Sequence, residues 1–482
     1  MFRILFTILL LTLISLTAKA QTTFERVYSD SGITSAYDIV TTYDGGYAVT
    51  GFKTCSSFNC QDFFLLKLDS LGNKEWVRLY EAGYNGNDYG YSIMQLNDSG
   101  YVLVGVAATA PNLANNVRLL KTDKNGNKLW DRNYGGLGCQ EGYDVEQTYD
   151  GGFIIATQQD TGGNCFEIQV ELIKTDTAGI IEWQKTYFNA GNGRAVAVKQ
   201  SSDSGYVVTG VTNDMLTPSS GEDIFLLKTD KNGGTLWTKF YGGAGTERGE
   251  DVIVSSDNGF VIAGYTNGVS SLVGAYVIKT NNVGDTLWTR VYEKNDQTYG
   301  TSIIEDSSND YLITGVSSVS TPVANSDMYL LKINNTGNVI FEHQFQYQAN
   351  AQDNANSIVL TKDGGYIMCG LTSSPGLSQV YIVKTDSNGL VTSVNNLQAP
   401  KINVTIYPNP FNNYATINLY ELIKNNNTIS ISLIDLTGKV VFKTTTTEHF
   451  FKLHNQNYPK GMYLLKLNNN QHTIITKKLI IN

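Results

Sequence analysis

Histidine is nearly missing from this chain of 482 residues. It holds four, His343, His449, His454 and His472, and no two stand at i, i+4. With no HExxH and no GxSxG either, zinc hydrolysis and serine-triad chemistry lack their usual side chains. No P-loop occurs, no glycine-rich phosphate turn opens a helical pattern, and the aspartate-bearing loops lack EF-hand spacing. The five cysteines form neither CxxC nor a Cys/His ligand spacing, so no metal and no cofactor are expected. Proline is scarce at 8 residues, and nothing in the composition suits collagen, a coiled coil or disorder. After residue 16 no apolar run approaches the ~18 residues of a membrane-spanning helix. Cations are also short: residues 21–400 carry 24 Lys/Arg against 41 Asp/Glu, net −17. A phosphate-binding surface needs clustered cations, so nucleic acid is excluded as a partner.

Glycine (46), tyrosine (29) and a 41% hydrophobic content are what the chain has instead. They favour β structure with tight turns, and the length suggests two or more domains. Residues 401–482 reverse the charge, with nine Lys/Arg and three Asp/Glu. At the other end, Arg3, an apolar run from Ile4 to Leu16 and Ala18-Lys19-Ala20 read as a secretory signal peptide over 1–20, cleaved before Gln21. No cysteine lies near that site, which argues against a lipid anchor. The expected product is secreted, with no transmembrane segment after signal removal. Cysteines in that oxidising setting pair by default. Cys55 with Cys60 and Cys139 with Cys165 are the expected disulfides, leaving Cys369 free in an apolar strand.

The body repeats itself. Aromatic residues after a tight turn recur at Tyr47, Tyr101, Phe153, Tyr206, Phe260, Tyr311 and Tyr366, at steps of 54, 52, 53, 54, 51 and 55. A repeat of this length built from several short strands signals a propeller or stacked array. Each unit parses into strands A to D, A–B and C–D being joined by tight turns. Strand D has a period of two, as in Trp76/Arg78/Tyr80 and Trp130/Arg132/Tyr134, so each trio lines one face and stacks a cation between rings. Because the trio recurs in every unit, packing between units explains it better than a ligand ladder. The same holds for the strand C lysines Lys67, Lys121, Lys174, Lys228, Lys279, Lys332 and Lys384. The mature chain opens on a lone strand D, Phe24 to Tyr28, and the last unit lacks one. Joining the two leaves no open edge. The expected fold is all-β: a seven-bladed β-propeller over 21–393 closed by an N-terminal strand, a linker over 394–401, and a small Ig-like β-sandwich over 402–482.

The segments KTDKNGNKLW and DSGYVVTG resemble the tryptophan-docking repeats of bacterial secreted propellers. That resemblance implies a fold and not an activity. In the C-terminal segment, Tyr407-Pro408-Asn409-Pro410-Phe411, the Asp435–Lys439 turn, Tyr458-Pro459-Lys460-Gly461-Met462-Tyr463 and Lys477-Lys478-Leu479 resemble the type A sorting domain of type IX secretion substrates. This resemblance implies the type IX machinery as a partner, acting through residues 402–482, and delivery to the outer cell surface or the medium.

In an up-and-down blade the longer D–A and B–C loops emerge on one face, and function usually resides on loops held by a rigid scaffold. The candidate ligand-binding residues there are Tyr84, Asp88, Tyr89, Glu141, Arg194, Glu247, Arg248, Asp296, Tyr299 and Asp353, with Glu250 beside them and Glu222 on a B–C loop; none is assigned a catalytic role. Three readings compete: a non-enzymatic module that binds a glycan, protein or matrix ligand; a carbohydrate-active enzyme using two loop carboxylates; and a structural adhesion component. The first is expected, and enzymatic activity is not.

Overall fold

The computed structural model describes residues 21–29, 33–54, 61–81, 86–108, 115–136, 138–160, 167–188, 192–213, 221–243, 245–268, 272–319, 325–374, 377–392, 404–420, 428–435, 439–456, 458–469 and 472–482. The expected signal peptide, Tyr84, Cys55, Cys60 and Cys165 lie outside them. Among the described residues there are strands and turns and no α-helix, hence no helix long and apolar enough to cross a membrane. Two compact units divide between Ser393 and Val394.

Unit one is β-propeller-like. Five four-stranded antiparallel sheets follow one another, each an A-B-C-D meander. An eight-stranded sheet follows, made of two such meanders joined through a single parallel bridge between Ser326 and Gln352. The last meander takes its fourth strand from the start of the chain: Phe24–Tyr28 pairs antiparallel with Leu377–Thr385, Phe24 opposite Lys384 and Tyr28 opposite Val380. Its buried rings join a core cluster with residues of the first and last meanders, among them Ala36, Ile39, Phe64, Ile367 and Ile382.

Two repeated devices hold this unit. The strand D aromatic reaches the next sheet's C–D turn: the Tyr80 hydroxyl donates to Gly126 O at 2.8 Å and Tyr134 to Gly179 O at 2.7 Å. Tyr28, Tyr187, Tyr241 and Tyr292 do the same with Gly72, Gly233, Gly284 and Gly337. Gly126 must be glycine twice over, since its φ is +75° and a Cβ would fall 2.8 Å from the Trp76 ring. Within the trio, the Arg78 guanidinium stands 5.2 Å from the Trp76 ring. The second device is the strand C lysine, buried in six repeats and half-buried at Lys121, which pairs with the A–B turn aspartate in all seven: Lys67–Asp44 at 2.9 Å, Lys174–Asp150 at 3.1 Å, Lys279–Asp257 at 2.6 Å, and likewise Lys121–Asp98, Lys228–Asp203, Lys332–Asp306 and Lys384–Asp363. Burial opposes ionisation of Asp44, but hydrogen bonds from Thr42 and Lys67 outweigh it and draw its carboxyl down to about 2.

Unit two packs a three-stranded sheet (Thr405–Tyr407, Tyr414–Asn418, Phe450–His454) and a four-stranded sheet (Val440–Thr446, Ile429–Ile434, Gly461–Asn469, His472–Ile481) around one core. Ala415, Ile417 and Leu453 from the first meet Ile431, Leu433, Leu465 and Leu479 from the second.

Candidate functional site

Every strand A breaks its pairing with strand B at the same place. Register shifts lie at Ala36/Asp38, Gly90/Ser92, Gly142/Asp144, Ala195/Ala197, Gly249/Asp251, Gly300/Ser302 and Ala355/Ser357. A bulge leaves its extra residue unpaired and re-aims the side chain. Those extra residues are Tyr37, Tyr91, Tyr143, Val196, Glu250, Thr301 and Asn356, and all seven line one cavity of about 440 Å³. A small residue precedes each because the neighbouring sheet is close; at Gly90 a Cβ would stand 2.3 Å from Thr50 Oγ1 and 2.6 Å from the Phe63 ring.

In six of the seven repeats the residue after the bulge, an Asp or a Ser, ties adjacent sheets together; the fourth has Ala197. Asp38 accepts its own strand's Ile39 N–H (2.8 Å), the Ile93 N–H of the next sheet (2.8 Å) and the Ser357 hydroxyl of the last (2.7 Å). Asp144 accepts Val145 N–H (2.9 Å), Val198 N–H (3.0 Å), the Ser92 hydroxyl (3.0 Å) and the Lys199 ammonium (3.0 Å). Asp251 accepts Val252 N–H (2.8 Å), Ile303 N–H (2.9 Å) and the Ser302 hydroxyl (3.0 Å). Burial pushes the Asp38 carboxyl up to about 6 in spite of these donors. This tier is fully engaged in holding sheets together.

The bulge tier is engaged only in part. Tyr89 stacks on Tyr91 (5.8 Å between ring centroids) and Tyr91 on Tyr143 (5.4 Å), while Tyr37 leans on Tyr91 at 5.0 Å. The Arg194 guanidinium ends this column, 5.8 Å from the Tyr143 ring. Tyr143 donates to Glu141 at 2.8 Å, Asn356 Nδ2 to Ala36 O at 2.7 Å and Thr301 Oγ1 to Ala355 O at 2.9 Å. By contrast, the hydroxyls of Tyr37 and Tyr91 and the carboxyl of Glu250 hydrogen-bond no described residue. Burial raises the Glu250 pKa against the opposing pull of Arg194 and Arg248.

The residues expected from the sequence divide into two groups. Asp88 is buried, accepting Ala108 N–H at 3.0 Å and lying 3.7 Å from Arg118. Glu247 is buried, accepting Gly243 N–H and the Thr266 hydroxyl, and Asp353 is buried, accepting Tyr347 N–H. These three serve the scaffold. Asp296 sits half-buried in the loop before Gln297–Glu305. Tyr89, Glu141 and Arg194 meet the tyrosine column. On the next two sheets Arg248 Nε pairs with Glu222 at 2.5 Å, and Tyr299 lies edge-on to Tyr265 at 4.8 Å. Tyr37, Tyr91 and Tyr143 were missed as site residues. Their signal was present as a column, a small residue, then the bulge residue, then Asp or Ser (Ala197 in the fourth repeat), then Ile or Val. Cys139 is disulfide-bonded, with its N–H 3.3 Å from Asp160 Oδ2, and Cys369 is a buried free thiol.

Residues 405–482 match the family described as the secretion system C-terminal sorting domain. No curated protein matches the chain. Among solved structures, one similar to it is PorZ, a surface component of the type-IX secretion system of Porphyromonas gingivalis, at 11% identity over 91% of this chain and 69% of that one, TM-score 0.36. Another is the β-propeller domain of the Trilobed protease from Pyrococcus furiosus, at 9% identity over 77% and 99%, TM-score 0.42. The polysaccharide lyase Uly1 is a third, at 11% over 73% and 90%, TM-score 0.46. The C-terminal residues 405–482 are thus a type IX sorting domain, and the β-propeller-like body that precedes it is cargo bound for the cell surface or the extracellular space.

Proposed function

We propose that the body is a closed seven-bladed propeller that binds a glycan, without turnover, at the tyrosine-lined mouth of its central channel. On this reading residues 1–20 are the signal peptide, 21–393 the propeller, 394–401 a linker and 402–482 an Ig-like sandwich that engages the export machinery. The disulfides are Cys55–Cys60 and Cys139–Cys165. The pairing of Phe24–Tyr28 with the last meander supports closure. One observation carries the ligand class: Tyr37, Tyr91 and Glu250, whose hydroxyls and carboxyl hydrogen-bond no described residue, line one cavity together. A polyhydroxylated ligand matches such a wall of donors and acceptors; the tyrosine faces, mostly covered by one another, leave little for flat stacking.

The test is an oligosaccharide array probed with the secreted protein, followed by titration of a binding sugar. Tyr91→Phe keeps the ring column and removes one hydroxyl, so affinity is expected to fall about fivefold, the worth of one ordinary hydrogen bond. Unchanged affinity, or no sugar bound at all, refutes the reading. Glu250 favours a second reading, since a cavity-lining carboxyl whose pKa is raised by burial suits a general acid. Product release abolished by Glu250→Gln would establish an enzyme in place of the binding module.

A further inference from the structure

Arg194 differs from the other guanidiniums near it. Arg118 is satisfied by Asp131 through Nε (3.1 Å) and Nη2 (2.8 Å) and by Tyr80 O (2.8 Å), and Arg248 by Glu222. Arg194 makes no ion pair with any described residue, and its Nε is buried without an acceptor. It stacks on the face of Tyr143, and its charge opposes the rise of the Glu250 pKa. A buried N–H with no acceptor is unfavourable, and a guanidinium presents Nε and Nη as a fork that suits two oxygens of one anion. The nearby carboxylates do not fill that role. Glu141 is taken up by the Tyr143 hydroxyl and Glu222 by Arg248, and the Glu250 carboxyl makes no ion pair with Arg194. The body as a whole is acidic, so a guanidinium without an ion pair among the described residues, set on the ring of a cavity-lining tyrosine, is a local exception to its surroundings.

We propose that Arg194 receives an acidic group of the bound sugar, a carboxylate or a sulfate ester, so that the site selects acidic over neutral glycans. This rests on the glycan reading above and adds its charge. The experiment titrates the secreted protein with three length-matched oligosaccharides, one neutral, one containing uronate and one sulfated, at low and high salt. At least one acidic sugar is expected to bind about tenfold or more tighter than the neutral one, with the advantage shrinking at high salt. The uronate and sulfate arms tell the two sources apart. Arg194→Gln should weaken the acidic sugar about tenfold to a hundredfold and change the neutral one by less than about twofold. Arg194→Lys should restore only part of the loss, because an ammonium has no fork. Neutral sugars binding as tightly as acidic ones, or Arg194→Gln weakening both alike, overturns the proposal while leaving the glycan reading intact. Binding of none overturns both. Should the Arg194 variants fold poorly, the salt-dependent preference of the unaltered protein decides the matter by itself.

Discussion

The outer rim and the inner wall of the propeller-like body follow opposite rules. At the rim the same residue types recur with few exceptions, and each has a partner: strand D tyrosine with the next turn's glycine in six repeats, strand C lysine with the turn aspartate in all seven. On the inner wall the bulge position changes identity around the ring, from tyrosine through valine, glutamate and threonine to asparagine, and some of its polar groups have no partner. Between the two lies the Asp/Ser tier, which ties sheets together in six repeats and is interrupted by Ala197 in the fourth. Repetition with complete pairing marks a position that holds sheets together. Variation with free donors and acceptors marks a position available to a ligand. Side chains one residue apart, such as Asp251 and Glu250, fall on different sides of that divide.

The largest effect should come from cutting the tie. Asp251→Ala strands two backbone N–H groups, those of Val252 and Ile303, and the Ser302 hydroxyl, and removes a negative neighbour of Lys199. Buried donors left without acceptors put the loss at about 3 kcal/mol or more. Thermal unfolding of the variant should show a clear drop in midpoint, while Tyr91→Phe, one tier above on the second sheet, should stay within about 0.5 kcal/mol of the parent. Equal stability of the two variants would erase the distinction between tiers.

A smaller effect, of opposite sign, is expected at a rim residue that breaks the rim's rule. Glu171, in the strand Ile168–Thr175, is buried with no cation and one hydrogen bond, from Gln184 Nε2 at 2.6 Å. Burial pushes its carboxyl up to about 7, against an ordinary value of 4.5, with the Gln184 bond pulling the other way. A folded-state pKa above the unfolded one means stability is intact below pH 4.5 and is lost as pH rises through 7. Glu171→Gln removes that loss. The variant should be more stable than the parent at pH 8, by roughly 1–3 kcal/mol, and should show no gain at pH 4.5. A gain that does not depend on pH would mean packing, and not charge, is what Glu171 upsets.

How far the sequence could be read follows from the same divide. The rim was legible because its signals are local and repeated: a period of two in Trp130/Arg132/Tyr134, a turn glycine at fixed spacing, a lysine in every strand C. The sorting domain was legible through its ordered motifs. The inner wall was not, because a bulge breaks the period of two just where it matters, and because Asp38 meets Ile93 and Asp144 meets Val198 across sheets, more than fifty residues away. Loop carboxylates misled for a related reason. In one dimension Asp88, Glu247 and Asp353 look solvated, yet each turns inward to bond a backbone N–H. Glu141 and Arg194 read identically and reach the tyrosine column.

The smallest expected effect tests whether one rung of the rim ladder matters by itself. Tyr134 sends its hydroxyl 2.7 Å to Gly179 O, from a ring that is itself buried in the core. Tyr134→Phe keeps the ring and loses the bond, a cost of about 1 kcal/mol or less. The chain contains its own precedent, since the sixth strand D ends in Phe345 where the others have tyrosine. A ladder that tolerates phenylalanine at one rung draws its strength from ring burial more than from hydroxyls, each ring contributing roughly 1.5–3 kcal/mol by area. The Tyr134→Phe midpoint should therefore fall only slightly and sugar binding should not change. A drop as large as that of Asp251→Ala would mean the rim, and not the Asp/Ser tier, carries the joint between sheets.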